Sequence, residues 1–269
     1  MRWGQKPVLP AINWRDPLAR GLLFACPMWP HGGRAARDLV SHNVSLGFGH
    51  ASMGYQAGSA GWGWANPQTT DSLRCVQFGS LASRAGGLPY TVMAVVRSTS
   101  GTSNYLTIAE RAYVGGNQAK EFTLRCGGSG TIFAFARTND AGSTTTITAG
   151  GFLVNTTHVV AGVFTPAGNA LSLYVDGARV ATGARSGACT FGNALLIGNQ
   201  WWSGALAYAW RGSIFDVRIW DRALPAQAIA HLYADPWAMY RRASTPVRGA
   251  AAAATRPLWL PSILHRRSA

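Results

Sequence analysis

Hydrophobic and polar residues alternate with a period of two along most of this chain. In "TIFAFAR" (131–137), Ile132, Ala134 and Ala136 fall on one face and Phe133, Phe135 and Arg137 on the other, which is a strand pattern and not a helical one. Comparable runs come at short intervals: "YTVMAVVR" (90–97), "NYLTIAE" (104–110), "KEFTLRC" (120–126), "STTTITA" (143–149) and "THVVAGVFT" (157–165). In "ALSLYVDGARVATG" (170–183), Leu171, Leu173 and Val175 oppose Ser172, Tyr174 and Asp176, and Asp176-Gly177 suits the positive φ angles of a two-residue hairpin turn. "ALLIGN" (194–199) predicts another short strand. In "GSIFDVRIWDRALPAQAIAHLYADPW" (212–237), Phe215, Val217 and Ile219 are expected on one face and Asp216, Arg218 and Trp220 on the other. Pro225 then fits the first turn of a helix, with Ile229, Leu232 and Tyr233 as its apolar stripe and Asp235-Pro236 as its stop.

Between and around these runs the chain is punctuated. Pro7, Pro10 and Pro17 predict an extended arm over residues 1–20, and "GLLFACPMW" predicts a first strand. Residues 47–70 are rich in Gly, Ser and aromatic residues and read as a long loop with an irregular strand inside. From 241 onward, Pro246, Pro257 and Pro261 interrupt an Ala- and Arg-rich tail with no core periodicity. The expected organisation is an arm (1–20), one all-β sandwich (21–240) with a single short helix, and a basic tail (241–269). A chain of 269 residues that is 48% hydrophobic can bury such a core, and all-β domains of about 200–250 residues are common.

The segments "THVVAGVFTPAGNALSLYVDGARVATG", "LLIGN" and "GSIFDVRIWDRALPAQAIAHLY" are similar, in order and spacing, to the concanavalin A-like (laminin G-like) jelly-roll module. The flanks "INWRDPLARGLLFACPMW" and "LYADPWAMYRR…RPLWLP" resemble those of jelly-roll proteins from the structural gene clusters of tailed bacteriophages. The chain departs from the module in three places. Phe215-Asp216 stands where the family has Asp-Glu, Pro225 where it has Ser, and Ala228 where it has Glu. The loss of one of two acidic positions weakens any calcium or ligand role inherited there.

The glucanases that share this fold use two carboxylates about 5 Å apart. This chain has only two Glu, Glu110 and Glu121, with no acid two to five residues after either. Asp216 and Asp221 would face opposite ways, Asp216 pairing with a neighbouring Arg on the sheet surface. No G-x-S-x-G elbow, phosphate-binding loop or H-E-x-x-H is present, and His158 reads as structural within an apolar strand. Cys26, Cys75, Cys126 and Cys189 are too far apart for a zinc site, and Cys126 and Cys189 are expected as buried thiols. Asp176 is explained by its turn. No catalytic residue, metal or cofactor is therefore expected, and no stretch is long and apolar enough to span a membrane.

Two regions carry the remaining chemistry. The loop "GNQWWSGALAYAWRG" (198–212) gathers Trp201, Trp202, Tyr208 and Trp210 with Asn199 and Gln200. Flat rings beside amides suit a sugar platform, and equally suit packing or a protein interface. The formal net charge is +14, and residues 241–269 hold six Arg and no acid, which predicts an acidic partner. Arg241, Arg242, Arg248, Arg256, Trp259, Arg266 and Arg267 are the candidate assembly contacts, with bridging of protein subunits favoured over nucleic acid. The expected function is a non-catalytic bacteriophage virion protein, in capsid decoration or a tail fibre. It would assemble in the host cytoplasm with other virion proteins and further copies of itself. The alternative is an adhesin recognising glycans.

Overall fold

The structure is a computed structural model that describes residues 11–28, 35–43, 45, 54–58, 60–66, 75–79, 87–100, 105–112, 120–127, 132–139, 141–151, 153–185, 194–202 and 205–240. Strands β1 (Leu22–Cys26), β2 (Gly54–Gly58), β3 (Gly61–Asn66), β4 (Val76–Phe78), β5 (Tyr90–Ser98), β6 (Leu106–Ala112), β7 (Lys120–Cys126) and β8 (Ile132–Thr138) come first. They are followed by β9 (Thr144–Gly150), β10 (Thr157–Thr165), β11 (Ala170–Val175), β12 (Ala178–Ala184), β13 (Ala194–Ile197), β14 (Gln200–Trp202), β15 (Ala205–Ala207) and β16 (Gly212–Trp220). Helix α1 (Ala226–Ala234) closes the series. Two antiparallel sheets stack as a sandwich. One runs β12-β11-β10-β5-β16-β3-β2, with β1 sharing the flank of β16, and the other runs β4-β13-β6-β7-β8-β9. The all-β jelly-roll expectation is met.

Alternation decides which side chains meet between the sheets. Val92, Ala94 and Val96 of β5, and Val160 and Phe164 of β10, point inward onto Phe122, Leu124, Phe133 and Phe135 of the smaller sheet. The sheets come close enough at Gly162 that an added Cβ would lie 2.3 Å from the Phe135 ring, so only glycine admits that ring there. The 170–184 hairpin turns at Asp176 and Gly177, with φ of 50° and 83°, as the dipeptide predicts.

The opposite face of the large sheet is also apolar. Met93, Val95, Val159, Ala161, Val163 and Tyr174 are covered by Ile229 and Leu232 of α1 and by Trp237, Met239 and Tyr240. Burial on both faces explains why β5 and β10 read as nearly continuous hydrophobic runs.

Residues 11–20 differ from the extended arm expected. Pro17–Ala19 form a 3-10 turn capped by Asp16, whose carboxylate accepts from Leu18 N. Ile12, Leu18 and Ala19 join the second apolar cluster, and Asn13 N donates to Met239 O at 2.8 Å. Pro17 suits the first turn of the 3-10 helix, and burial supplies the stabilisation that local propensity lacks. Residues 1–10 and 241–269 lie outside the described residues.

The 47–70 loop is corrected in part. Its described portion contains the β2–β3 hairpin, and β3 pairs with Gly212–Ile214 of β16. Glycines alternating with tryptophan masked the strand signal. Trp64 is fully buried in the inter-sheet core.

The faces of β16 are also corrected. A bulge between Ile214 and Asp216 against β5 moves Phe215 away from Val217 and Ile219, into the second cluster. Gly63 makes room for it, since a Cβ there would meet the Phe215 ring at 2.7 Å. A bulge adds one residue and so inverts the alternation on one side of it.

Asp216 lies within the protein and not on its surface, because Tyr240 and its neighbours cover that face. It pairs with Arg218 Nε, and its Oδ1 accepts from Tyr240 Oη at 2.8 Å. Arg218 also donates to Pro236 O at 2.7 Å. Cys26, Cys75 and Cys126 are buried free thiols, and Cys189 lies outside the described residues.

Candidate functional site

The outer face of the six-stranded sheet is built differently from the other three sheet faces. Register places Thr107 and Glu110 of β6, Thr123 and Arg125 of β7, Ala134 and Ala136 of β8, and Thr146 and Thr148 of β9 on this one side. These are polar or small side chains, as expected of a sheet whose other face is already committed to the core.

Along one margin of this face stands the β14–β15 ribbon, which holds Trp201 and Trp202. It is fastened to β6 and β7 by a buried ion pair. Lys120 Nζ lies 3.1 Å from Glu110 Oε2 and donates to Trp201 O at 2.8 Å. Glu110 accepts from Trp201 N at 2.8 Å and from Thr123 Oγ1 at 2.9 Å. Gln200 Oε1 accepts from Thr107 Oγ1 at 3.1 Å. Burial raises the Glu110 carboxyl, with Lys120 opposing that shift, and burial lowers the Lys120 ammonium. Four hydrogen bonds and one charge pair thus set a short ribbon that has little core of its own.

The aromatic groups are arranged around this fastening. Trp202 is 45% exposed, and Lys120 Nζ lies 5.2 Å from its ring centre. Tyr208, at a φ of 66°, meets Trp202 edge-on at 6.1 Å and Tyr105 edge-on at 6.2 Å. The Arg125 guanidinium sits 3.8 Å from the Tyr105 ring centre. No carboxylate among the described residues pairs with Arg125. Trp202, Tyr208, Tyr105 and Arg125 therefore form a continuous half-exposed ledge of rings and one cation.

Of the five residues expected to form the sugar platform, the structure brings Trp202 and Tyr208 to the ledge, keeps Trp201 in the adjoining ribbon through its backbone bonds, and removes two. Asn199 and Trp210 are fully buried. Asn199 Oδ1 accepts from Gln200 N at 2.8 Å, and Trp210 lies in the inter-sheet core, so neither offers a face to a ligand. Tyr105, Lys120, Arg125 and Glu110 were missed by sequence reasoning. The available signal was rarity, since Lys120 is one of two lysines and Glu110 one of two glutamates in the chain. Arg241, Arg242, Arg248, Arg256, Trp259, Arg266 and Arg267 lie outside the described residues.

The histidine–aspartate pair in the sandwich has a structural role. His158 Nδ1 meets Asp176 Oδ2 at 2.8 Å, while its Nε2 accepts from Leu153 N at 3.2 Å. That bonding makes Nδ1 the protonated nitrogen, donating to Asp176. Asp176 Oδ1 accepts from Val159 N at 2.9 Å, so its carboxylate ties the hairpin turn to β10 in addition to shaping the turn. The two glutamates take separate cations, Glu110 with Lys120 and Glu121 with Arg111 at 2.9 Å. Asp216, in the strand where the family places its acids, is enclosed by Arg218 and Tyr240 and is not available to a cation. Among the described residues no three His, Cys, Asp or Glu side chains gather as a metal site, and no helix is long and apolar enough to cross a membrane.

Residues 71–230 match the laminin G-type family of the concanavalin A-like lectin/glucanases superfamily. That is more than half of the chain, and the chain belongs to this superfamily. No curated protein matches it in sequence. Among solved structures it is similar to the botulinum neurotoxin serotype G binding domain, with a TM-score of 0.60 and 12% identity over 79% of this chain and 50% of that one. It is also similar to the binding domain of Paraclostridial Mosquitocidal Protein 1, with a TM-score of 0.58 and 10% identity over 80% and 52% of the two chains. The chain spans about half the length of each. At such identities the likeness concerns the fold.

Proposed function

We propose that this member of the superfamily is a non-catalytic recognition module of a bacteriophage particle, and that it grips a carbohydrate with the Trp202–Tyr208–Tyr105–Arg125 ledge. The ledge is the observation that carries the reading. Exposed rings stack on the C–H faces of sugars, and neighbouring polar groups take the hydroxyls. The Lys120–Glu110 fastening holds the ribbon in place before any ligand arrives, which lowers the ordering cost of binding. Arg125, a fork of donors without a carboxylate partner among the described residues, favours a sugar that bears an acidic group.

A non-catalytic role is supported by the engagement of both glutamates in separate ion pairs. Placement on a virion is supported by the flanking segments that resemble those of phage jelly-roll proteins. These flanks meet in the fold, where Asn13 N donates to Met239 O and Trp220 Nε1 donates to Leu18 O at 2.7 Å. The remaining termini would then be the anchoring elements.

A glycan array probed with the full chain and with Trp202→Ala tests the recognition role. Binding by the parent that Trp202→Ala abolishes is the expected result, and absence of binding to any glycan overturns it. Particle assembly in the producing host tests the placement. The chain should appear in purified particles, and removal of residues 241–269 should exclude it; normal incorporation of the truncated chain overturns the anchoring role.

A further inference from the structure

We propose that the open edge of β9 is an interface between two copies of this chain, paired antiparallel about a two-fold axis at Ile147. β9 ends the six-stranded sheet, and no described strand lies beyond it. The direction of its backbone groups follows from bonds at both ends of β8. Asn139 N donates to Ser143 O at 2.9 Å, which makes these two a hydrogen-bonded pair at the hairpin. Gly127 N donates to Ile132 O at 2.9 Å, which turns the backbone of Ile132 toward β7. Between these ends the pairing runs without a bulge from Thr138–Thr144 to Ile132–Gly150. Hydrogen-bonded and non-hydrogen-bonded pairs alternate in an antiparallel ladder, so Thr145, Ile147 and Ala149 direct their N–H and C=O groups to β8. Thr144, Thr146, Thr148 and Gly150 direct theirs to the open edge. The hydroxyls of Thr138 and Thr144 meet at 2.9 Å, as expected where side chains stand closest, in a non-hydrogen-bonded pair. The four residues whose backbone points outward are also exposed.

Strand edges are ordinarily blunted by brevity, charge, proline or a bulge. At the far end of the same sheet, β4 is three residues long. β12, the edge of the large sheet that packs over Ile147 through Gly183, carries Arg179 and a bulge against β11. β9 has none of these devices. Residues 141–151 contain neither a charge nor a proline, and no described residue lies within 4 Å of a Cβ added at Gly142, Gly150 or Gly151. A second copy is the occupant this edge fits. A net charge of +14 opposes self-association elsewhere on the chain, whereas β9 and the outer-face residues beside it, Ala134, Ala136 and Thr138, are uncharged. With Ile147 opposite Ile147, Thr146 of each copy meets Thr148 of the other and Thr144 meets Gly150. Each outward N–H and C=O then has a partner, and threonine and β-branched cross-strand pairs add to the pairing. The axis stands perpendicular to the sheet, as for any isologous pairing of two antiparallel edges, so both outer faces lie on the same side of the dimer.

The test is sedimentation equilibrium of the full chain at about 100 μM, where a complex of micromolar affinity is largely formed. The parent should have twice the mass of one chain. Thr146→Pro removes an outward N–H and none of the bonds to β8, a substitution that an edge position tolerates, and should halve the mass. Thr148→Lys should do the same by bringing two ammonium groups to the seam. Gln227→Lys adds the same charge to an exposed position of α1 and should leave the dimer intact. A parent of single-chain mass overturns the proposal, and so does a dimer that survives both β9 substitutions. A parent that dimerises only after removal of residues 241–269 would make the tail the occupant and also overturn it. Should Thr146→Pro fail to fold, Thr148→Lys alone decides: a retained dimer refutes the proposal and a halved mass supports it.

Discussion

The two sheets use the same alternation for opposite ends. The large sheet is apolar on both faces, one packed on its partner sheet and the other roofed by α1, residues 237–240 and the 11–20 segment. The small sheet is apolar on one face only, and its other face carries Thr107, Glu110, Thr123 and Arg125. The first sheet is covered over its central strands, and beneath that roof Asp216, Arg218 and Tyr240 form a sealed polar knot. The second carries polar residues on its other face, where the buried Lys120–Glu110 pair fastens the β14–β15 ribbon. On the proposed function, binding falls to the ledge beside the second sheet and stability to the roofed first sheet. Substitutions on the first should change the fold, and those on the second should change what is bound.

Breaking the sealed knot gives the largest effect. Asp216→Ala leaves Arg218 buried without its carboxylate, and loss of one partner of a buried pair costs about 3–5 kcal/mol. Urea unfolding should show a much lower midpoint, and an unchanged midpoint would mean that the roof does not depend on the pair. Trp237→Ala removes a fully buried ring from the same roof and should cost about 3–5 kcal/mol. Gly162→Ala comes next, because its Cβ would collide with Phe135. Overpacking of this kind costs about 1–3 kcal/mol, and a second change, Phe135→Leu, should recover part of the loss in the same urea experiment.

On the small sheet the expected stability changes are slight. Trp202→Ala should alter the unfolding free energy by no more than about 0.5 kcal/mol while abolishing glycan capture. A large destabilisation would make Trp202 part of the fold and blur the contrast between the sheets. Cysteine labelling offers the mildest probe of closure. Burial pushes the Cys75 thiol up to about 12 and also raises Cys126. Thiolate, the reactive form, should therefore be scarce at pH 8. Ellman's reagent should modify Cys75 and Cys126 only after denaturant is added.

Much of this contrast was legible along the chain, and the rest was not, for identifiable reasons. The strands at 120–126 and 157–165 and the Asp176-Gly177 turn follow from alternation and turn chemistry, which act within a few residues. Period two says that two faces exist, but not what covers each of them. Trp202 and Trp210 are therefore equivalent on the page, although one is 45% exposed and the other fully buried. Phe215 was assigned to the wrong face because a bulge against β5 cannot be seen in β16 alone.

The sequence by itself determined an all-β chain of alternating strands with one hairpin, one short helix and the stamp of a jelly roll, since these depend on neighbours in the chain. The tertiary structure alone decided that residues 11–20 and 237–240 would roof one sheet, that Asp216 would be sealed beneath them, and that Lys120 and Glu110 would hold a tryptophan ribbon against β6. Those outcomes join segments distant in the chain, and only packing brings them together.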